Sequence, residues 1–354
     1  SGLSLDVAGV TVRGRGPDST ILSFAGQTDG AEGLLVTADD FVIEQIGVED
    51  TAGDALKVEG TTNATFRHVR VEWTAGPRPE NGSYGLYPVQ VTNVLIEDSV
   101  VRGASDAGIY VGQSNHIIVR RNRAEDNVAG IEIENSSQAD VYQNTSTGNT
   151  GGVLVFNLPG LQIGRGEGTR VYDNDIVDNN EPNFAPPGNI VGKVPRGTGF
   201  AGIAAHGVEI FDNRISGNLT GNLAIMSYLT AMLAYDDPAY DPYADTIWVH
   251  DNQFGDGGEM PTDELGFLVV EALATVLPAP IVVPDMIIDG YENPELSDTG
   301  GQLLPDYAIC FQGNGDADFA DLDVPNDYAD VSFDLSAHDC AHDPLPPVEI
   351  PGVD

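Results

Sequence analysis

Lys57, Tyr87, Tyr110 and Glu132 fall at one phase of a repeating pattern, each inside a short alternating run. The runs are Leu56-Lys57-Val58-Glu59, Leu86-Tyr87-Pro88-Val89, Ile109-Tyr110-Val111-Gly112 and Ile131-Glu132-Ile133-Glu134. Stacked on one another, they put a Lys, two Tyr and a Glu on neighbouring rungs. Such a set suits proton transfer: a Lys or Tyr of lowered pKa abstracts a proton, and a carboxyl donates one or stabilises charge. Asp54 and Asp106 precede the same runs and join the set. The same ladder would also serve as a surface array of paired Lys and Glu with Tyr spacers, which contributes little to stability.

Residues from separate segments meet in this way only on a scaffold that repeats, and the chain carries one. The phrase apolar-x-x-Asn recurs as Val119-Arg120-Arg121-Asn122, Val141-Tyr142-Gln143-Asn144, Val171-Tyr172-Asp173-Asn174, Ile210-Phe211-Asp212-Asn213 and Val249-His250-Asp251-Asn252. A second Asn follows each of the first four: Asn127, Asn149, Asn179 and Asn218. Ile43-Glu44-Gln45-Ile46, Phe66-Arg67-His68-Val69 and Ile96-Glu97-Asp98-Ser99 keep the same phase. The shortest repeat is 22 or 23 residues, and the longer ones contain insertions. Each repeat holds three short runs with period-2 alternation, β-branched residues and Gly or Asn breaks, the pattern of strands. Three strands per turn predict an all-β fold, a single-stranded parallel β-helix, over residues 1–257. Stacked Asn side chains can hydrogen-bond along the coil axis. Asn also tolerates the left-handed conformation of a tight corner. The repeat fades after Phe254. Thr262 to Leu277 reads as one amphipathic helix ending at Pro278, and residues 258–354 as an acidic C-terminal cap.

The chain has 354 residues, with 15 basic against 55 acidic side chains and a formal charge of −40. A field of that sign repels nucleic acid and anionic membranes. All Lys and Arg lie at or before Arg214, whereas acids continue to Asp354. There is no apolar run long enough to span a membrane. The chain opens inside a strand-like pattern, Leu3-Ser4-Leu5, which suggests a processed N-terminus. Cys310 and Cys340 are the only cysteines, and one disulfide in an oxidising compartment is expected.

Insertions at Thr74–Ser83, Phe156–Gly168, Asn179–Gly199 and Met226–Asp245 interrupt the repeat, and the first three fall at comparable phase. They should project as walls of a groove, the usual place for binding on a rigid scaffold. They hold much of the scarce positive charge, Arg78, Arg165, Lys193 and Arg196, and hold or adjoin Trp73, Tyr84 and Phe184; His206, outside them, is a further candidate for substrate binding. Cations and aromatics collected on loops fit an anionic polymer, with Arg gripping carboxylates bidentately. On the first strands an outward row runs Tyr142, Tyr172, Phe211, His250. It reads either as an aromatic track for sugar rings or as a stack that serves stability alone. Asp316, Asp318 and Asp321 alternate in a way that would suit a loose Ca²⁺ site, although the spacing lacks the Gly and Glu of an EF-hand. No cofactor is required by the proton-transfer chemistry.

Several phrases are specific: Tyr84-Gly85-Leu86-Tyr87-Pro88-Val89-Gln90, the run from Gly103 to Ser114, the run from Asn127 to Asn135, Gly152 to Pro159, and Pro182-Asn183-Phe184-Ala185-Pro186-Pro187-Gly188-Asn189. They resemble a secreted bacterial family of right-handed parallel β-helix repeat proteins, over most of Leu3 to Asn218. The resemblance implies a right-handed coil, export to the periplasm, cell surface or medium, and a second exported protein as neighbour. The wider pectate-lyase-like superfamily implies polysaccharide lyases, hydrolases and epimerases. No polygalacturonase-like Asp-Asp, Gly-His-Gly and Arg-x-Lys set is present.

The expected function is therefore that of an exported monomer acting on an acidic polysaccharide by β-elimination. Arg or Lys from the loops would neutralise the uronate carboxylate. Lys57 or Tyr110 would abstract the proton, assisted by Tyr87 or Glu132. The alternatives are a non-catalytic polysaccharide-binding or scaffold protein, and a hydrolase using paired carboxylates such as Asp106 and Glu132.

Overall fold

The computed structural model describes residues 1–231 and 234–353. Its strands coil into two long sheets that are parallel throughout, one of 11 strands and one of 17 among the described residues. The first and second strands of each turn share the larger sheet, and the third strands form the smaller. The chain is a right-handed parallel β-helix. Register is set by the inward rows, since a slip of one residue would turn every apolar side chain to solvent. One row aligns Val119, Val141, Val171, Ile210, Val249 and Phe311. Another aligns Ile109, Ile131, Val153, Phe200, Leu223, Met286 and Phe319. These rows meet in one continuous core.

The Asn residues form two buried ladders. Nδ2 of Asn122 donates to Oδ1 of Asn144 at 3.0 Å, and the chain of bonds continues through Asn174, Asn213 and Asn252 to Asn314. Asn127, Asn149, Asn179 and Asn218 make the second. Each Oδ1 also accepts a backbone N–H from the turn before, as Asn144 does from Asn122. The corner conformation differs from expectation. The left-handed residue is the one preceding the ladder Asn: Arg121, Gln143, Asp173, Asp212 and Asp251 all have positive φ. That geometry turns the following Asn inward, where its amide replaces backbone bonds lost at the corner.

The coil also extends past the boundary expected at residue 257. Met286–Ile288, Ile309–Gln312 and Phe319–Asp321 add to the two sheets. Phe311-Gln312-Gly313-Asn314 is a further copy of the Asn phrase, hidden from the sequence by the long insertion before it. Within that insertion lies helix α1, Asp263–Ala274, with Thr262 as its N-cap residue. It packs Val269, Ala272 and Leu273 against Val283 and Ile287, on the outer face of the smaller sheet. A disulfide joins Cys310 to Cys340. From there the tail runs back along the coil: Leu345 N–H donates to Glu209 and Val348 N–H to Asp140. Ile350 then packs on Leu95 and Ile118. Among the described residues no helix is long and apolar enough to cross a membrane.

Candidate functional site

In the strand Ala129–Glu134, Ile131 and Ile133 point into the core and Glu132 and Glu134 point out. Outward carboxyls on a coil of this kind ordinarily meet water. Here the insertion around Gly188–Pro195 lies over them, with helix α1 covering the same cavity further along the coil, and Glu132 is only 2% exposed. The covered space is a cavity of about 430 Å³. Ser83, Tyr84, Asp106, Glu132, Glu134 and Asn189 form its polar end. The Ile190–Lys193 turn and α1 roof it, and Lys193 joins the two through an ion pair to Glu264 at 3.6 Å.

Three carboxyls so enclosed cannot all ionise. Burial, then the Asp106 and Glu134 charges, hold the Glu132 proton well above the usual carboxylate range. Burial likewise pushes Asp106 up to about 7, against a hydrogen bond from Asn189 that favours its charged form. That bond, Nδ2 to Oδ2, is 3.1 Å. Glu134 is raised by burial and partly restored by the Tyr110 hydroxyl, which donates to its Oε1 at 2.8 Å. Among the described residues, Oε1 of Glu132 is buried without a hydrogen-bond partner. A buried polar atom of that kind costs stability unless something else meets it.

Tyr84, Tyr87 and Tyr110 close one side as a mutual cluster, with ring centroids 4.5 to 4.9 Å apart. Burial moves all three hydroxyls upward. They stay protonated, so Tyr110 is a hydrogen-bond donor here and not the base that the sequence suggested. Its ring crosses the face of Gly112, where any Cβ would collide with it. Lys57 lies one rung beyond, ion-paired to Glu59 at 3.3 Å and 5.3 Å from the centroid of Tyr87. It does not line the cavity.

The expected residues therefore separate. Asp106, Glu132, Tyr84 and Lys193 line one cavity, with Tyr87, Tyr110 and Phe184 packed against its wall. Trp73 does not belong to it: the indole is buried inside the coil, and its Nε1 donates to the carbonyl of Thr51 at 2.8 Å. The loop arginines face elsewhere. Arg78 binds Asn81, and Arg196 binds the carbonyl of Asn180. Arg165 reaches Glu167, Asp241 and Asp245. Glu134 and Asn189 are the residues that sequence reasoning did not select. Glu134 sits in the outward row next to Glu132, which was the available signal. Asn189 comes from an insertion, and no periodicity points to it.

His206 is buried against Asp245, Nδ1 to Oδ2 at 2.6 Å. Burial alone would raise Asp245, but the His206 bond and charge lower it on balance. With Asp241 these two are the one group of three among the described residues whose ligand atoms would suit a metal. The Arg165 guanidinium already pairs with both carboxylates. Asp316, Asp318 and Asp321 do not form such a group. Asp318 instead accepts the Asp285 N–H, and Asp321 that of Asp323.

On the larger sheet Tyr142, Tyr172, Phe211 and His250 stack face to face, with interplanar angles of 3 to 9°. The returning tail covers part of this row. Val348 and Val353 pack beside Tyr142, above a hollow that Arg120, Asp140, Arg170 and Tyr172 complete.

The profile of the right handed beta helix region matches residues 18–160. No curated protein matches the chain by sequence. Among solved structures, the chain is similar to the A-module of mannuronan C-5 epimerase AlgE4 of Azotobacter vinelandii. The TM-score is 0.56 at 15% identity, over 88% of this chain and 80% of that one. The AlgE6 A-module of the same organism gives 0.49 at 14% identity, over 87% and 79%. DFA-IIIase from Arthrobacter chlorophenolicus A6 gives 0.46 at 13% identity, over 80% and 60%. At these identities the likeness is one of fold.

Proposed function

We propose that this protein is a carbohydrate-active β-helix enzyme that cleaves a glycosidic bond by general acid–base catalysis, with Glu132 as acid and Asp106 as base. The observation that carries this is Oε1 of Glu132, partnerless among the described residues, on the wall of a cavity that also holds Asp106. A carboxyl kept protonated beside one that ionises near neutrality is the division of labour that glycoside hydrolysis requires. Glu132 gives its proton to the bridging oxygen as the C–O bond breaks. Asp106 takes a proton from the water whose oxygen bonds to the anomeric carbon. Asn189 orients Asp106, and Tyr110 holds Glu134 in place beside the pair.

β-Elimination on a polyuronate is supported by one feature, Lys193 on the cavity wall, where a cation could face a substrate carboxylate. Against it stand the engagement of Arg78, Arg165 and Arg196 elsewhere and the concentration of acids in the cavity. The test is a panel of neutral and acidic oligosaccharides followed both by new reducing ends and by absorbance of unsaturated uronate. Hydrolysis predicts reducing ends without the absorbance, and loss of about 10²-fold or more in rate for Glu132→Gln. Appearance of the absorbance would establish elimination instead. Silence throughout, with binding retained, would leave a binding protein.

A further inference from the structure

The cavity has a second, chemically different end. Beyond the carboxyls its wall is Ala201, Ile203, Ala224, Met226, Val269 and Ile287. Ala201 and Ala224 are outward residues of adjacent strands, paired in register, and their small side chains leave the space open. Ile287 continues the row, and α1 supplies Val269 from above. These side chains offer a ligand neither donor nor acceptor. A sugar ring placed there would lose its water hydrogen bonds without replacement.

We infer that the ligand is a saccharide carrying a hydrocarbon substituent, with the sugar at the Asp106–Glu132 end and the hydrocarbon between Ala224 and α1. This rests on the acid–base reading above for which end takes the sugar. Continuity of one cavity across both ends is what couples them. Most of the far end is aliphatic, with the Tyr228 ring and Thr220, whose hydroxyl is already engaged by the Arg196 carbonyl, also on its wall; that balance favours a hydrocarbon over a second sugar.

Calorimetry on the folded Glu132→Gln protein separates this from turnover. The probes are n-alkyl glucosides, galactosides and mannosides from methyl to octyl, below their micelle concentrations, with n-octanol as the sugar-free control. Burial of each methylene should tighten binding about three- to fourfold until the end is filled. Octyl should then exceed methyl by about 100-fold or more in at least one sugar series, and exceed octanol. Ala224→Phe, which fills the apolar end, should flatten the series. Val269→Thr, nearly the same shape but with a hydroxyl at the apolar end, should weaken it, with urea unfolding confirming that the variant is folded. A flat series in the parent would overturn the inference, as would octanol binding as tightly as every octyl glycoside. Should no glycoside be cleaved while the chain-length gradient stands, the catalytic reading fails and this one survives.

Discussion

The Tyr110 hydroxyl donates to Oε1 of Glu134 on the next turn of the coil, and the ring reaches it only because residue 112 is Gly. Tyr110 is thereby a positioning residue for the acidic end of the cavity. Tyr110→Phe should cost about 1–2 kcal/mol in urea unfolding, since it leaves a buried carboxyl with one partner fewer. It should also move Glu134 further upward, because the tyrosine bond is what opposes burial there. Gly112→Ala should cost about 1–3 kcal/mol by driving the ring off its path. In a Tyr110→Ser background the same alanine should cost much less; equal costs in both backgrounds would show that the ring is not what the glycine accommodates.

Stability should fall as pH rises across the acid range. Asp106 goes from 3.8 to about 7 on folding, Glu292 from 4.5 to about 7 and Asp54 from 3.8 to about 6. Each is raised, so the native state holds protons that the unfolded chain has lost. The stabilisation is complete below the unfolded values and is lost between about pH 4 and 7. Glu97 and Asp245 are lowered and act in the opposite sense, at the acid edge of that window and below. Melting temperature measured from pH 4.5 to 8 should decline in the parent. Asp106→Asn should decline less; an identical slope would remove Asp106 from the account.

Activity should show a matching acid limb. If Asp106 must ionise while Glu132 keeps its proton, the rate rises through about pH 7 and falls again only where Glu132 titrates. Asp106→Asn should abolish the acid limb together with most of the rate. Glu132→Gln should remove the alkaline limb. A rate independent of pH between 5 and 9 would sink both assignments.

The Asn ladder should prove energetically steep. Asn174 accepts from Asn144 and donates to Asn213 and to the carbonyl of Val141, all at 2.9 to 3.0 Å. Asn174→Ala should cost about 2–4 kcal/mol, because it strands buried partners on two sides. Asn174→Asp keeps the shape yet turns an acceptor toward Oδ1 of Asn213, and should be at least as damaging. Urea unfolding of the two variants decides this.

The Asn phrase and the period-2 runs suffice to define the coil, since hydrophobic alternation sets register and each buried amide needs its copy on the next turn. The outward positions of Glu132, Glu134 and Tyr110 follow from the same alternation. So does their placement on neighbouring rungs. What alternation does not encode is whether an outward face meets water. The insertion carrying Asn189 folds over that face and encloses the carboxyls, and helix α1 roofs the cavity further along; both are distant along the chain. Burial then raises their proton affinity and makes an acid and a base from two residues that would be ordinary surface charges in the open. The partners of Arg165 and the burial of Trp73 are likewise long-range outcomes. They depend on packing between segments whose separation no local pattern records. Sequence alone determined the scaffold and the rows; only the tertiary structure decided which row became a site.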